Sequence, residues 1–247
     1  MWKNKTVSVV FPTYNEKDSI RKAIEDFFSQ GYVDEIIVVN NNAAEGTSEE
    51  VAKTKAKEVF EKKQGYGFSI RKGMKESKGD LIIVSEPDGT YIGRDIIKLL
   101  AYSEDFDVVF GTRTNKNLIW EGANMGFFIK WGNVFLAKLI EILYNTTTLS
   151  DVGCTMRLLN RKSLEKIQSQ FTIGTSHFGV EMILLAIKNK IKFMQVPVNY
   201  KKRVGQSSVM GDKLKVLFLG ILMILLTLRY RIKRIKRHNG KIDVDRK

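Results

Sequence analysis

The sequence predicts an α/β protein with a mostly parallel, doubly wound sheet flanked by helices. Three observations carry that reading. Apolar runs of strand length at residues 6–11, 35–40, 80–85 and 107–111 alternate with helical stretches in a βαβαβαβ pattern. Start and stop residues punctuate the helical stretches, among them Asp18, Gly31, Thr47 and Gly65. The third strand ends in Ser85-Glu86-Pro87-Asp88, which puts carboxylates at the strand edge where open α/β sheets bind ligands.

Residues 6–11 (TVSVVF) form the first strand, followed by a Pro12-Thr13-Tyr14-Asn15 loop. Asp18 is placed to cap a helix running to about residue 30, and Gly31 to end it. Residues 35–40 (EIIVVN) are the second strand. Thr47-Ser48-Glu49-Glu50 reads as a capping box opening a helix to about residue 60. A glycine-punctuated helix over 65–77 leads into the third strand, and a helix over 94–102 precedes the fourth. Residues 133–144 form a helix apolar over most of its circumference, which is either deeply buried or against lipid. Short elements follow near 156–159 and 193–198, with a helix near 180–189.

The chain divides into an α/β domain, residues 1–211, and a C-terminal helix with a basic tail, residues 212–247. Residues 216–228 (VLFLGILMILLTL) are thirteen positions without a charge. As a helix they span about 20 Å, against a hydrocarbon core of about 30 Å. Arg229, Arg231, Lys233, Arg234, Lys236 and Arg237 follow at once. Of the formal charge of +14, a net +11 lies from Lys201 onward. This predicts a membrane-associated helix on an anionic leaflet, peripheral or monotopic, with a short tilted anchor as an alternative. A core helix or dimer interface with a solvated tail is the competing arrangement, and a homo-oligomer stays open. Nucleic acid is disfavoured as a partner, because the basic excess adjoins an apolar run.

Cys154 is the single cysteine, which excludes an internal disulfide and fits a reducing compartment. Met1-Trp2-Lys3 leads straight into the first strand, leaving no room for a signal peptide, so the catalytic part is expected on the cytoplasmic side.

Glu86 and Asp88 are the first chemical candidates. Pro87 between them has no N–H and holds Glu86 extended, so the strand cannot run on into a helix. Two hard oxygen donors there suit Mg²⁺ or Mn²⁺ on a diphosphate, while a solvated turn is the plainer alternative. Arg113, Arg157 and Arg203 are the second set, suited by their fork geometry to phosphate oxygens. His177 reads mainly as structural. Trp120, Phe127, Phe128 and Trp131 are either core or a guide for a lipid.

Six motifs stand in order: residues 7–20 (VSVVFPTYNEKDSI), 38–47 (VVNNNAAEGT), 85–89 (SEPDG), Gly111-Thr112-Arg113, 150–159 (SDVGCTMRLL) and 203–209 (RVGQSSV). Together they resemble family 2 glycosyltransferases of the GT-A (Rossmann-like) fold, in the branch of dolichyl-phosphate mannose synthases and polyprenyl-phosphate glycosyltransferases. The resemblance covers roughly residues 5–225 and implies a metal-dependent, inverting sugar transfer from a nucleotide-diphosphate sugar to a polyprenyl or dolichyl phosphate. It implies Pro12, Tyr14, Asn15 and Glu16 at the donor nucleotide, with Glu86 and Asp88 in place of the family's paired aspartates. Asn40 and Asn41 stand where relatives carry aspartates, so they keep hydrogen-bonding capacity for a base but not its negative charge. Arg113, Arg157 and Arg203 would steady donor and acceptor phosphates. Were the acceptor a glycan or glycolipid hydroxyl instead, Asp151 would be the base. A degenerate donor site on a membrane-bound scaffold is the non-catalytic alternative.

Overall fold

The computed structural model describes residues 1–205 and 213–232. The expectations for Gln206 to Val209 and for the basic residues from Lys233 onward lie outside the described residues. Seven strands form one sheet: β1 Val7–Thr13, β2 Glu35–Asn40, β3 Lys57–Phe60, β4 Leu81–Val84, β5 Val108–Thr112, β6 Arg157–Asn160 and β7 Phe193–Pro197. Their order is β3-β2-β1-β4-β6-β5-β7. All neighbours are parallel except β6, which runs antiparallel between β4 and β5. Central strands read as unbroken apolar runs because both faces are covered.

Helices α1 (Lys17–Ser29), α2 (Thr47–Ala52) and α4 (Ile96–Tyr102) cover one face. There Ile20, Ile24, Phe27 and Leu99 pack on Val9, Val38 and Ile83. The other face takes α3 (Tyr66–Glu76), α5 (Phe127–Tyr144), α6 (Arg161–Ile167), α7 (Phe178–Lys188) and α8 (Lys213–Ile232). Ile70, Met74, Ile140 and Ile183 pack there on Val10, Val39 and Ile82. The alternation of Val9 and Val10 between the two cores is the period-2 signature of a strand.

Several elements differ from the sequence expectation. The helix expected over 47–60 is two elements, α2 and the edge strand β3. Thr54 ends α2 early: its hydroxyl donates to the Val51 carbonyl at 2.7 Å and accepts the Ala56 N–H at 3.1 Å. The capping box does not form, because Gly46 at φ 86° precedes the helix and the Thr47 hydroxyl is buried without a partner. Nor does Asp18 cap α1: it lies in the first turn, and Glu16 precedes the helix. Pro12 lies inside β1 rather than in a loop. It is tolerated because β4 reaches only to the level of Val10, leaving β1 paired on one side at Pro12. Helix α5 starts at Phe127, and α6 was not foreseen; the Asn160 side chain caps it by accepting the Ser163 N–H at 2.8 Å.

Among the described residues no helix is long and apolar enough to cross a membrane. The C-terminal half of α8 packs on the domain through buried Leu226, Thr227 and Tyr230. The Tyr230 hydroxyl donates to buried Glu181 at 2.5 Å, and the Tyr144 hydroxyl to the Thr227 carbonyl at 2.8 Å.

Candidate active site

Past the end of β4, Asp88-Gly89-Thr90 closes a tight Asx turn. Asp88 Oδ1 accepts the Thr90 N–H at 2.9 Å and the Thr90 hydroxyl at 2.5 Å, while Gly89 takes φ 80°. This fixes a carboxylate that is only 1% exposed. Its other oxygen accepts from Arg203 Nη1, and Arg203 Nη2 donates to Glu16 Oε1. Glu16 Oε2 takes the backbone N–H groups of Tyr14 and Asn15 at 2.6 and 3.0 Å. One arginine therefore joins the loop after β1 to the turn after β4. Burial works against its charge, but Asp88, Glu16 and Glu86 outweigh that and hold the guanidinium above its ordinary pKa.

Arg203 is delivered by a strap, residues 198–204, that crosses the C-terminal edge of the sheet. Backbone N–H groups of Val198, Tyr200, Lys201 and Val204 donate to the carbonyls of Thr112, Leu118, Thr90 and Asp88 at 3.1, 2.9, 2.8 and 2.9 Å. Buried Asp95 grips Asn199 through its backbone and side-chain N–H groups, the side-chain bonds being 3.0 and 3.1 Å. Asn199 in turn accepts Trp120 Nε1–H at 3.0 Å.

Beside this bridge lies a second buried ion pair. Arg113 is forked onto Asp151 by Nε and Nη2 at 2.8 and 3.0 Å, and its backbone N–H adds a third bond at 3.0 Å. Its guanidinium stands over the Tyr200 ring at 5.0 Å. Burial would raise the Asp151 pKa, yet Arg113 and the Gly153 N–H hold it below the ordinary carboxylate value. Gln195 of β7 steadies the same loop by accepting the Ser150 N–H at 2.6 Å. Glu86, half-buried, feels Asp88, Arg203, Arg113 and Glu16; burial first and Asp88 second push it up to about 8.

The structure thus gathers Glu16, Glu86, Asp88, Arg113 and Arg203 at one edge of the sheet. Asp151 faces Arg113, and all its bonding is taken up there and by Gly153 at 2.9 Å, which removes it as a free base. Arg157 is buried too, but its N–H groups go to the carbonyls of Cys154 and Gly179 at 2.5–3.0 Å rather than into the crevice. Burial holds its pKa below the ordinary value, and it braces the 152–154 loop against α7. The amides of Asn40 and Asn41 are also occupied. Asn40 Nδ2 donates to Ser48 and Glu58 at 3.1 and 3.0 Å, and Asn41 Nδ2 to the carbonyls of Glu61 and Lys63 at 2.7 and 3.0 Å. They tie β2 to the missed β3 and to the loop beyond it. Tyr14 and Asn15 stay exposed, and Pro12 is buried in β1. Sequence reasoning gives Thr90 no role and misses Tyr200. The Asp-Gly-Thr spacing was a usable signal for the first, whereas nothing local marks the second.

Asp88 and Glu86 are the carboxylates that this edge offers to a metal ion. Among the described residues no group of three or more His, Cys, Asp or Glu could hold a metal ion. A pair of carboxylates suits an octahedral ion that completes its shell with water and substrate phosphate. The buried Asp88 oxygen already takes a cation, Arg203, and burial first, with Asp88 second, drives Glu86 towards its protonated form.

Comparison with known proteins agrees with this fold. Residues 8–168 match the family model described as glycosyl transferase family 2. The chain is 28% identical over 213 residues to the low-salt glycan biosynthesis hexosyltransferase Agl6 of Haloferax volcanii, covering 83% of this chain and 50% of that protein. It therefore spans half the length of that relative. Identity is 24% over 231 residues to the dolichyl-phosphate beta-glucosyltransferase of Mus musculus, covering 83% of this chain and 70% of the other. Glucosyl-3-phosphoglycerate synthase from Mycobacterium tuberculosis, solved with Mn²⁺, uridine diphosphate and glucosyl-3-phosphoglycerate, matches at TM-score 0.70 and 16% identity, covering 92% of this chain and 80% of that one. The family model covers well over half of the sequence. The chain belongs to glycosyltransferase family 2 and has the GT-A fold.

Proposed function

We propose that the protein is a metal-dependent, inverting glycosyltransferase that moves a sugar from a nucleotide-diphosphate sugar to a polyprenyl or dolichyl phosphate at the cytoplasmic face of a membrane. The observation that carries this is the bridge from Asp88 through Arg203 to Glu16, with Arg113 beside it. Such an edge, with two acidic groups for a cation and two arginines for phosphates, suits a reaction that brings several anionic groups together. Two of the similar proteins support this reading, the dolichyl-phosphate beta-glucosyltransferase and the synthase solved with Mn²⁺ and uridine diphosphate.

In this reading Tyr14, Asn15 and Glu16 face the nucleotide, and Asp88 with Glu86 would hold Mg²⁺ or Mn²⁺. The ion when bound supplies charge neutralisation for the departing nucleoside diphosphate. Arg203 and Arg113 hold phosphate oxygens in line. An oxygen of the acceptor phosphate attacks the anomeric carbon from the face opposite the leaving group. The bond from that carbon to the diphosphate breaks, and the configuration inverts. A phosphate monoester is mostly dianionic at neutral pH, so the attack needs no general base. That suits a site in which Asp151 is already committed to Arg113.

Incubating labelled UDP- and GDP-sugars with the protein and vesicles carrying polyprenyl phosphate tests the proposal. A sugar-phosphate lipid, formed only with Mg²⁺ or Mn²⁺, is expected. Transfer solely to glycolipid hydroxyls would replace the acceptor, and absence of any nucleoside diphosphate binding by calorimetry would favour a scaffold.

A further inference from the structure

Two neighbouring helices expose more apolar surface than the proposed chemistry uses. Helix α5 turns Phe127, Phe128, Trp131, Phe135 and Ile142 outward, with Phe128 88% and Ile142 80% exposed. Phe128, Trp131 and Phe135 are three and four residues apart, Phe127 adjoins Phe128 and Ile142 lies two turns beyond Phe135, which puts them on one helical face. Helix α8 presents Leu217, Phe218, Ile221, Leu225, Leu228 and Ile232 in the same rhythm. The two helices pack against each other, with the Tyr144 hydroxyl of α5 donating to the Thr227 carbonyl of α8. Scattered apolar side chains are normal on a surface, but a paired stripe of this extent marks a docking face.

Charge selects the occupant. Helix α8 contains no acidic residue, and α5 contains one, Glu141, which is paired with Lys138 at 2.7 Å. Arg229 and Arg231 are exposed at the end of α8, and the net charge from Lys201 onward is +11. A second copy docked on this face would bring those charges together, whereas an anionic surface is attracted by them. We infer that α5 and α8 together form a bilayer-docking face that lies flat on anionic phospholipid, with Trp131 and the phenylalanines of α5 inserted at the headgroup boundary.

The packing of α8 supports a flat seat rather than a span. Tyr230 to Glu181 and Tyr144 to Thr227 fasten its C-terminal half to the domain. On its inner side α5 reaches the phosphate site. A Cβ placed at Gly153 would meet Asn133 of α5 at 2.6 Å and Arg113 Nη2 at 2.9 Å. The helix that carries the aromatic stripe thus abuts the loop that holds Arg113. Docking would set that arginine near the depth of a lipid phosphate. Only this last step rests on the proposed acceptor.

Co-sedimentation of the full chain with phosphatidylcholine vesicles, with and without phosphatidylglycerol, tests the inference. Binding is expected to the anionic vesicles and to weaken with salt. Phe128→Glu with Phe135→Glu, and separately Leu217→Glu with Phe218→Glu, should each weaken it by about tenfold or more. Unchanged nucleoside diphosphate affinity in both pairs serves as the folding control. As a test without a disruptive variant, brominated lipid should quench a part of the fluorescence that disappears in Trp131→Phe. Three outcomes would overturn the inference: wild-type protein left in the supernatant, an α5 pair that binds like wild type, or a dimer dissolved by the same substitutions without vesicle binding. Vesicle binding without sugar transfer to lipid phosphate would instead sink the proposed acceptor and leave the surface standing.

Discussion

Arg203 spans two carboxylates from different parts of the chain, giving one Nη to Asp88 and the other to Glu16. Because Asp88 is 1% exposed, its charge depends on this cation, or on one that replaces it, for compensation. The arginine holds the loop after β1 and the turn after β4 together.

Arg203→Ala should therefore destabilise the metal-free protein by about 2 kcal/mol, less than for a fully buried pair because the arginine keeps some solvent contact. Thermal melts in EDTA and in Mn²⁺ check this. The variant is expected to recover more stability from Mn²⁺ than wild type does. Equal Mn²⁺ responses would show that Arg203 and the metal do not share Asp88.

Asp88→Ala should abolish sugar transfer while the protein stays folded. Far-UV circular dichroism and a labelled-donor assay check the two halves. Full activity in this variant, or in excess EDTA, would remove Asp88 from the metal role.

Asp151→Asn should act on stability first, since it leaves the buried Arg113 charge uncompensated, at about 3–5 kcal/mol. The pH dependence follows from the depressed pKa of Asp151. Its folded value lies below the unfolded one, so the contribution is complete above about pH 3.9 and is lost as pH falls through the folded value. Acid titration of the melting temperature should show a shallower low-pH limb in the variant. A variant that melts like wild type but has lost turnover would restore Asp151 as a base.

Tyr230→Phe removes one donor from Glu181, which keeps the Thr172 and Ile173 N–H groups at 2.9 and 3.0 Å. The expected cost is about 1–2 kcal/mol, with faster hydrogen exchange along 223–232. Unchanged exchange would show that apolar packing alone seats α8.

Gly73→Ala sets two effects against each other. Alanine gains about 1 kcal/mol of helix propensity, but its Cβ would lie 2.3 Å from Val10 Cγ1 and 2.8 Å from Val39 Cγ2. Overpacking of this kind costs about 1–3 kcal/mol, so net destabilisation is expected in urea titration. A more stable variant would mean that the sheet yields locally.

The four apolar strands and the carboxylate turn were legible because each is a local pattern. What failed depended on partners far away in sequence. Lys57–Phe60 is a short, charged edge strand recognisable only by its pairing with β2, and a helix signal at Thr47 overrode it. That error carried into the site: Glu58, and the Glu61 and Lys63 carbonyls just past β3, are what occupy Asn40 and Asn41. The antiparallel insertion of β6 places Arg157 opposite Val84, where its N–H groups meet backbone carbonyls. No spacing within the motif encodes that orientation. Tyr200, packed on Arg113, came from a segment with no strand or helix pattern at all.

The strap over residues 198–204 gives the chain an uneven division of labour. Everything up to β7 builds a platform that positions Asp88 and Arg113, and only the stretch after it closes Asp88 onto Glu16. The crevice is therefore finished last along the chain, by its shortest and least regular piece. A stop after Pro197 would leave a complete sheet whose two acidic loops have lost the arginine that joins them.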